Sequence, residues 1–194
     1  MYDLLDLHTK YEAIVFDCDG TVVDTMPAHY VAWVRTLQRY GIEFPEDRFY
    51  RMGGMSTVTI IDILADEAGK KVDSLQVSIE KENEFLFGIS AIQPIGKVVA
   101  LAEKYKSFLP LGIATGATRK MARLELQQIG VLEWFKFMAC SEDVKRHKPH
   151  PDVYLAAAAG LGVDPIRCLA LDDTDIGLEA AREAGMTVWD VRLL

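Results

Sequence analysis

Five short apolar runs rich in β-favouring residues punctuate the chain: YEAIVFD (11–17), LPLGIAT (109–115), FKFMAC (135–140), RCLALD (167–172) and TVWDV (187–191). Runs of this length and character read as parallel strands buried on both faces. Between them lie helical patterns. PIGKVVALAEKYK (94–106) opens on proline, a favoured first helical residue, and ATRKMARLELQQIG (117–130) closes on glycine, a common helix stop. PDVYLAAAAGLG (151–162) and DIGLEAAREAG (175–185) complete the set. Alternating strand and helix predicts an α/β fold with a doubly wound, Rossmann-like parallel sheet.

Residues 24–93 break the alternation, with no strand pattern between the first and second strands. They offer helical patterns instead, in PAHYVAWVRTLQRYG (27–41), a short piece near 45–51, STVTIIDILADEAG (56–69) and VDSLQVSIEKENEFLFG (72–88). A structureless connection of that length is improbable, so the segment is expected to be a helical unit of its own. The predicted organisation is an α/β core from 1–23 and 94–194 with an α-helical cap, 24–93, inserted into it.

Composition narrows the classes. Half of the 194 residues are hydrophobic, enough for a sizeable core, and the net charge of −8 argues against nucleic acid as a partner. Three cysteines without CxxC spacing suggest neither a disulfide framework nor a zinc site. MYDLLDLHTK lacks the pattern of a signal peptide, and no apolar run approaches a membrane span. A cytoplasmic protein without a membrane partner is expected; the oligomeric state stays open.

The chemistry concentrates at predicted strand ends. In FDCDGTVVDT (16–25), Asp17 ends a strand, Asp19 follows, and Gly20 permits a tight turn. The C-terminal ends of parallel strands form the ligand crevice of such sheets. Two carboxylates there can divide the work, one attacking phosphorus and one moving protons. A calcium-binding EF-hand loop is rejected, because Gly20 is fourth rather than sixth and Ala28 stands where a bidentate Glu belongs. Thr115-Gly116 follows the second strand, where a hydroxyl and free amides suit a phosphate oxygen. Lys148, in KRHKPHPD (145–152), suits the charge of a transferring phosphoryl group, and Asp172-Asp173 offers hard oxygen ligands for Mg²⁺. Taken singly, Thr115-Gly116 reads more readily as a helix start and Lys148 as a loop lysine; the combination is far more specific. Unit charges about 4 Å apart repel by roughly 4 kcal/mol at an effective dielectric near 20, so four converging aspartates call for a divalent cation and a lysine.

These residues resemble the haloacid dehalogenase-like (HAD) superfamily, whose motifs are DxDGT, a Ser/Thr followed by Gly, a Lys, and a terminal acidic pair. The resemblance spans nearly the whole chain. It implies Asp17 as nucleophile and Asp19 as acid/base. It places Mg²⁺ on Asp17, the Asp19 carbonyl and Asp173 with Asp172 in support, and the phosphoryl group on Thr115 and Lys148. Asp19 argues against true dehalogenation, whose enzymes lack the second aspartate. The acidic pair departs from the usual Glu-Asp of the β-phosphoglucomutase-like branch, Asp172 being one methylene shorter.

Within that branch, His29 matches the cap histidine of β-phosphoglucomutases, although a polar residue on an amphipathic helix explains it equally well. Gly53 and Thr57 stand where those mutases carry the Lys and Arg that grip a second phosphate, leaving Thr57 and Gly116 as candidate substrate contacts. MGGMSTV (52–58), KRHKPHPD and the terminal DVRLL resemble the fructose-1-phosphatase-like (YqaB-like) group. The expectation is a Mg²⁺-dependent phosphatase acting on a small phosphorylated metabolite, a sugar phosphate with fructose 1-phosphate as the leading candidate. A phosphomutase is the alternative. A catalytically silent binding protein on the same fold is disfavoured by the intact acidic set. Cap closure is expected to bend the chain near 22–26 and 90–94.

Overall fold

In a computed structural model, which describes residues 7–53 and 55–194, strand β1 (Ala13–Phe16) runs through the middle of a five-stranded parallel sheet. The other strands of this sheet are β4 (Leu111–Ala114), β5 (Phe135–Ala139), β6 (Cys168–Asp172) and β7 (Thr187–Asp190), in the spatial order β5-β4-β1-β6-β7. Ile14 pairs with Leu111 on one side and Leu169 on the other. The chain order reverses at β1, so the crevice beyond its C-terminal end is the expected ligand site of such a sheet.

Side-chain alternation along β1 divides the core. Ile14 and Phe16 pack with Val98, Leu101 and Leu126, while Ala13 and Val15 face Tyr154, Ala157 and Ala181. The first face is covered by α6 (Gly96–Tyr105) and α7 (Arg119–Gln128), the second by α8 (Asp152–Leu161) and α9 (Asp175–Glu183). Alanines on α8 and α9 let these helices approach closely; a Cβ on Gly160 would collide with the Phe137 ring. A short helix, α1 (Leu7–Lys10), precedes the sheet.

Between β1 and β4 stand α2 (Met26–Gln38), α3 (Glu46–Arg51), α4 (Thr57–Glu67) and α5 (Ser74–Leu86). They gather an apolar cluster of their own around Trp33, Leu37, Phe44, Ile61 and Val77. Ala32 and Phe85, on α2 and α5, instead join the cluster of the sheet. Sequence-legible caps bound these helices: Ser56 accepts from Thr59 N, and Asp73 accepts from Leu75 N and Gln76 N.

Two expectations change at the ends of this insertion. Residues 23–24 and 93–94 form a two-stranded antiparallel ribbon, β2 (Val23–Asp24) with β3 (Gln93–Pro94), pairing Val23 with Pro94 and Asp24 with Gln93. Pro94 therefore belongs to this ribbon, and α6 begins at Gly96 with Ile95 extended before it. Two residues are too few to display a strand period, and a proline ahead of an apolar helical pattern serves an edge strand as readily as a helix start. Among the described residues, no helix is long and apolar enough to cross a membrane.

Candidate active site

Asp17 follows β1 directly, and its backbone N–H donates to Leu171 O of the neighbouring strand β6. That pairing sets it beside Asp172, the last residue of β6. Lys148 Nζ, fully enclosed, donates to Asp17 Oδ1 at 2.7 Å and to Asp172 Oδ2 at 2.8 Å. Both oxygens of Asp172 are engaged further. Tyr154 OH donates to Oδ2 at 2.6 Å, while Thr174 N and Oγ1 donate to Oδ1 at 2.8 and 2.7 Å. Gly177 makes room for this carboxylate, since a Cβ there would overlap it. The short Asp172 side chain is thus a buried counter-ion that orients Lys148, its acceptor sites taken by protein donors.

Asp173 turns the other way. Thr21 Oγ1 donates to its Oδ1 at 2.8 Å, and it lies over Gly20, whose φ of +80° and missing side chain leave space that a Cβ would fill. One oxygen each from Asp17, Asp172 and Asp173 fall within 4.8 Å of one another. Burial pushes the Asp17 carboxyl up; Lys148 opposes this, and Asp172 and Asp173 add to it. Burial, with the charge of Asp172, likewise raises Asp173 to about 6. Asp172 ends low although burial opposes it, because Lys148, Tyr154 and Thr174 stabilise its charged form. Three carboxylates against one ammonium leave an excess of negative charge in a buried place. A divalent ion with a taste for hard oxygen fits that donor set, Asp17 and Asp173 being the two whose oxygens retain room.

A second acidic cluster lies on the other side of Cys18. Thr25 Oγ1 donates to Asp19 Oδ1, and His29 Nε2 lies 2.9 Å from the same oxygen. His29 Nδ1 is 2.7 Å from Lys81 Nζ, and the ring stacks on Phe85 at 3.9 Å between centroids. An ammonium has no lone pair to accept with, so Nδ1 is the acceptor and Nε2 carries the hydrogen given to Asp19. Burial opposes ionisation of Asp19, but His29, Thr25 and Lys81 together lower its pKa to about 2. Below His29 sits Glu125, wholly enclosed on α7, with Oε1 3.7 Å from His29 Nε2 and Oε2 accepting from Cys18 Sγ at 3.6 Å.

Asp17 and Asp19 open into a cleft between the sheet and the inserted helices. Asp17, Asp19, Thr115, Gly116, His29 and Thr57 all line it. Thr115 Oγ1 accepts from Ala117 N at 3.0 Å, so the turn after β4 is fixed by the threonine itself. Gly53 lies against the far wall; a Cβ there would be 3.2 Å from Tyr50 O and 3.3 Å from Thr174 Cγ2. Met26, Trp33, Phe49, Met52, Met55 and Ile60 make the insertion's side of the cleft apolar. Lys81 is the insertion's one cation among the described lining residues, and it is bound to His29. Glu82 adds a carboxylate and accepts from Thr118 Oγ1 across the cleft at 3.3 Å.

The sequence pattern does not mark Thr21, Thr25, Lys81, Glu82, Thr118, Glu125, Tyr154 and Thr174 as polar residues of the site. Thr21 and Thr25 lie inside the first acidic motif, and Thr174 follows the acidic pair as the cap of α9. Lys81 and Glu125 carried a different signal. Lys81 falls on the stripe Val77–Lys81–Phe85, and Glu125 shares a face with Met121, Ala122 and Leu126. A charge that lands on the buried face of a helix at i+4 spacing needs a partner, and here the partners are one another's neighbours.

Residues 14–191 match the model of the haloacid dehalogenase-like hydrolase family. Fructose-1-phosphate phosphatase YqaB of Escherichia coli (strain K12) is 31% identical over 189 residues, 97% of this chain and all of that protein. Beta-phosphoglucomutase of Bacillus subtilis (strain 168) is 26% identical, the match covering 90% of this chain and 80% of the enzyme. Among solved structures, beta-phosphoglucomutase from Clostridium difficile superposes with a TM-score of 0.85 at 28% identity, covering 92% of this chain and 83% of the other.

Proposed function

This chain belongs to the haloacid dehalogenase-like hydrolase family, and on that premise we propose that it is a Mg²⁺-dependent phosphatase that hydrolyses a small sugar phosphate through an aspartyl-phosphate on Asp17. The observation that carries the reading is the convergence of Lys148 and Asp173 on Asp17, beside Asp19 in one cleft. Asp17 attacks phosphorus and the bond to the leaving oxygen breaks; Asp19, held ionised at rest by its partners, takes up a proton in the substrate complex and passes it to that oxygen. Asp19 then takes a proton from water as the water oxygen attacks phosphorus, freeing Asp17 and inorganic phosphate. Lys148, steered by Asp172, offsets charge on the phosphoryl oxygens, and Thr115 and Gly116 hold them from the turn after β4. Mg²⁺, held by Asp17, the Asp19 carbonyl and Asp173, supplies further positive charge to the phosphoryl group when bound.

Residues 24–93 act in this reading as a cap that closes over the reaction and selects the leaving group, pivoting at the β2–β3 ribbon. Its apolar wall, with Glu82 nearby and Lys81 already engaged, suits one uncharged sugar ring better than a bisphosphate. A mutase must grip a second phosphate, and charge-assisted contacts supply such a grip. Gly53 and Thr57 bring none. The likeness to YqaB makes fructose 1-phosphate the leading substrate; the likeness to beta-phosphoglucomutases keeps phosphate transfer as the competing reading.

The test is phosphate release from a panel of sugar phosphates with Mg²⁺. Asp17→Asn is expected to abolish it, and undiminished turnover in that variant would exclude the proposed nucleophile. Glucose 1-phosphate with a bisphosphate activator separates the two readings: free phosphate supports hydrolysis, whereas glucose 6-phosphate as the product would overturn it.

A further inference from the structure

We propose that Glu82 is a specificity-determining residue: its carboxylate accepts hydroxyl hydrogens from an uncharged leaving group and turns away esters that carry a second anionic group. The inference rests on the phosphatase reading above and concerns a charged side chain that the proposed mechanism leaves without a task. Glu82 is half-buried on α5, and it is the one carboxylate that the insertion brings to the described lining of the cleft. Its neighbour Lys81 is buried against His29. Among the described residues, the hydrogen bond to Glu82 comes from Thr118 Oγ1, at 3.3 Å to Oε1. A carboxylate has about four acceptor sites, so most of its capacity is unfilled in this arrangement.

Where Glu82 stands decides what it reads. Its partner Thr118 is the N-cap of α7 and lines the same cleft as Thr115 and Gly116, the residues assigned to the phosphoryl group. The carboxylate therefore borders the space next to that group, where the rest of the ester must lie. The start of a ten-residue helix is also where a second anion would settle most readily, because unpaired N–H groups and the helix dipole meet there. In this chain that end is already supplied with acceptors. Arg119 N donates to both oxygens of Glu142 at 3.0 Å, and Met121 N donates to Thr118 Oγ1 at 3.4 Å. The Arg119 guanidinium is held by Asp143 at 2.5 Å. Glu82 adds negative charge on the cleft side of the same helix end. A second phosphate meets a like charge there, whereas sugar hydroxyls are donors that the open carboxylate sites can take. One side chain thus favours one class of ester and opposes the other, which is how discrimination by an unfavourable contact works.

The experiment measures kcat/KM with Mg²⁺ for two ester pairs, fructose 1-phosphate with fructose 1,6-bisphosphate and glucose 6-phosphate with glucose 1,6-bisphosphate. It compares the wild type with Glu82→Gln, Glu82→Asp and Glu82→Leu, and p-nitrophenyl phosphate serves as an ester without sugar hydroxyls. The wild type is expected to prefer the monophosphate of a pair. Glu82→Gln should narrow that preference about tenfold, chiefly by faster turnover of the bisphosphate, while Glu82→Asp, which keeps the charge, should preserve it. Glu82→Leu should narrow the preference as far and also raise KM for the monophosphate a few-fold, since the hydroxyl acceptor is gone. Turnover of p-nitrophenyl phosphate should stay level in all three variants. A wild type without the preference, or an unchanged preference in Glu82→Gln, would overturn the role of Glu82 while leaving the phosphatase reading intact. Turnover of p-nitrophenyl phosphate with no sugar monophosphate accepted would overturn it as well. A wild type inert towards every ester would remove that reading and this inference together.

Discussion

Two acidic clusters flank Cys18, and they are built by opposite means. Around Asp17, the partners come from strand ends and the loops that follow them, with Tyr154 added from α8, and Asp172 and Lys148 are closed in by protein donors and acceptors. Around Asp19, the partners come from helices on both sides of the cleft, and one oxygen is left unmatched. In the proposed mechanism, the first cluster holds charge still while bonds to phosphorus change. In the same proposal the second serves the group that passes a proton, and its network is left incomplete at Glu125 Oε1.

The comparison is most exposed at Asp17. In Asp17→Asn, Mg²⁺-dependent phosphate release is expected to fall by at least about 10³-fold, the scale of losing a nucleophile. Chelation of divalent cations by EDTA in the wild type should reach a similarly low rate, with recovery on adding Mg²⁺. Lys148→Met should cost both activity and stability. It strands Asp17 and Asp172, with an expected loss of about 3–5 kcal/mol in urea unfolding. Lys81→Met tests the other cluster from the matching position. Methionine continues the Val77–Phe85 stripe, so stability should stay within about 1 kcal/mol while kcat falls, because the His29 tautomer is no longer set. If Lys81→Met unfolds the protein as readily as Lys148→Met, the contrast between the clusters breaks. Tyr154→Phe removes one donor to Asp172 and should cost about 1 kcal/mol with a few-fold change in rate. Thr118→Ala, which releases Glu82 across the cleft and removes the N-cap of α7, should cost about 1 kcal/mol in stability with the smallest effect on rate of the set.

Much of this was legible in the chain. The apolar runs became β1, β4, β5, β6 and β7 with ends shifted by only a residue or two; β1, β4 and β6 are buried along their whole length and announce themselves by continuous hydrophobicity, whereas β5 and β7, at the sheet edges, are partly exposed despite the same apolar pattern. Asp17, Asp19, Thr115 and Asp172 were visible for a related reason, each standing where such a run stops. The β2–β3 ribbon was not, since two residues carry no period. Lys81 and Glu125 left a trace only as charges misplaced on apolar faces.

By itself, then, the sequence determined what depends on neighbours along the chain: strand, helix, cap residue, and the polar groups that terminate the strands. Tertiary structure alone decided what those groups meet. Lys148 reaches Asp17 across 131 positions and Cys18 reaches Glu125 across 107. The tautomer of His29 depends on a lysine 52 residues away. Local propensity is written in spacing, but which buried charge faces which is set by the packing of whole elements, and no short stretch of chain contains that information.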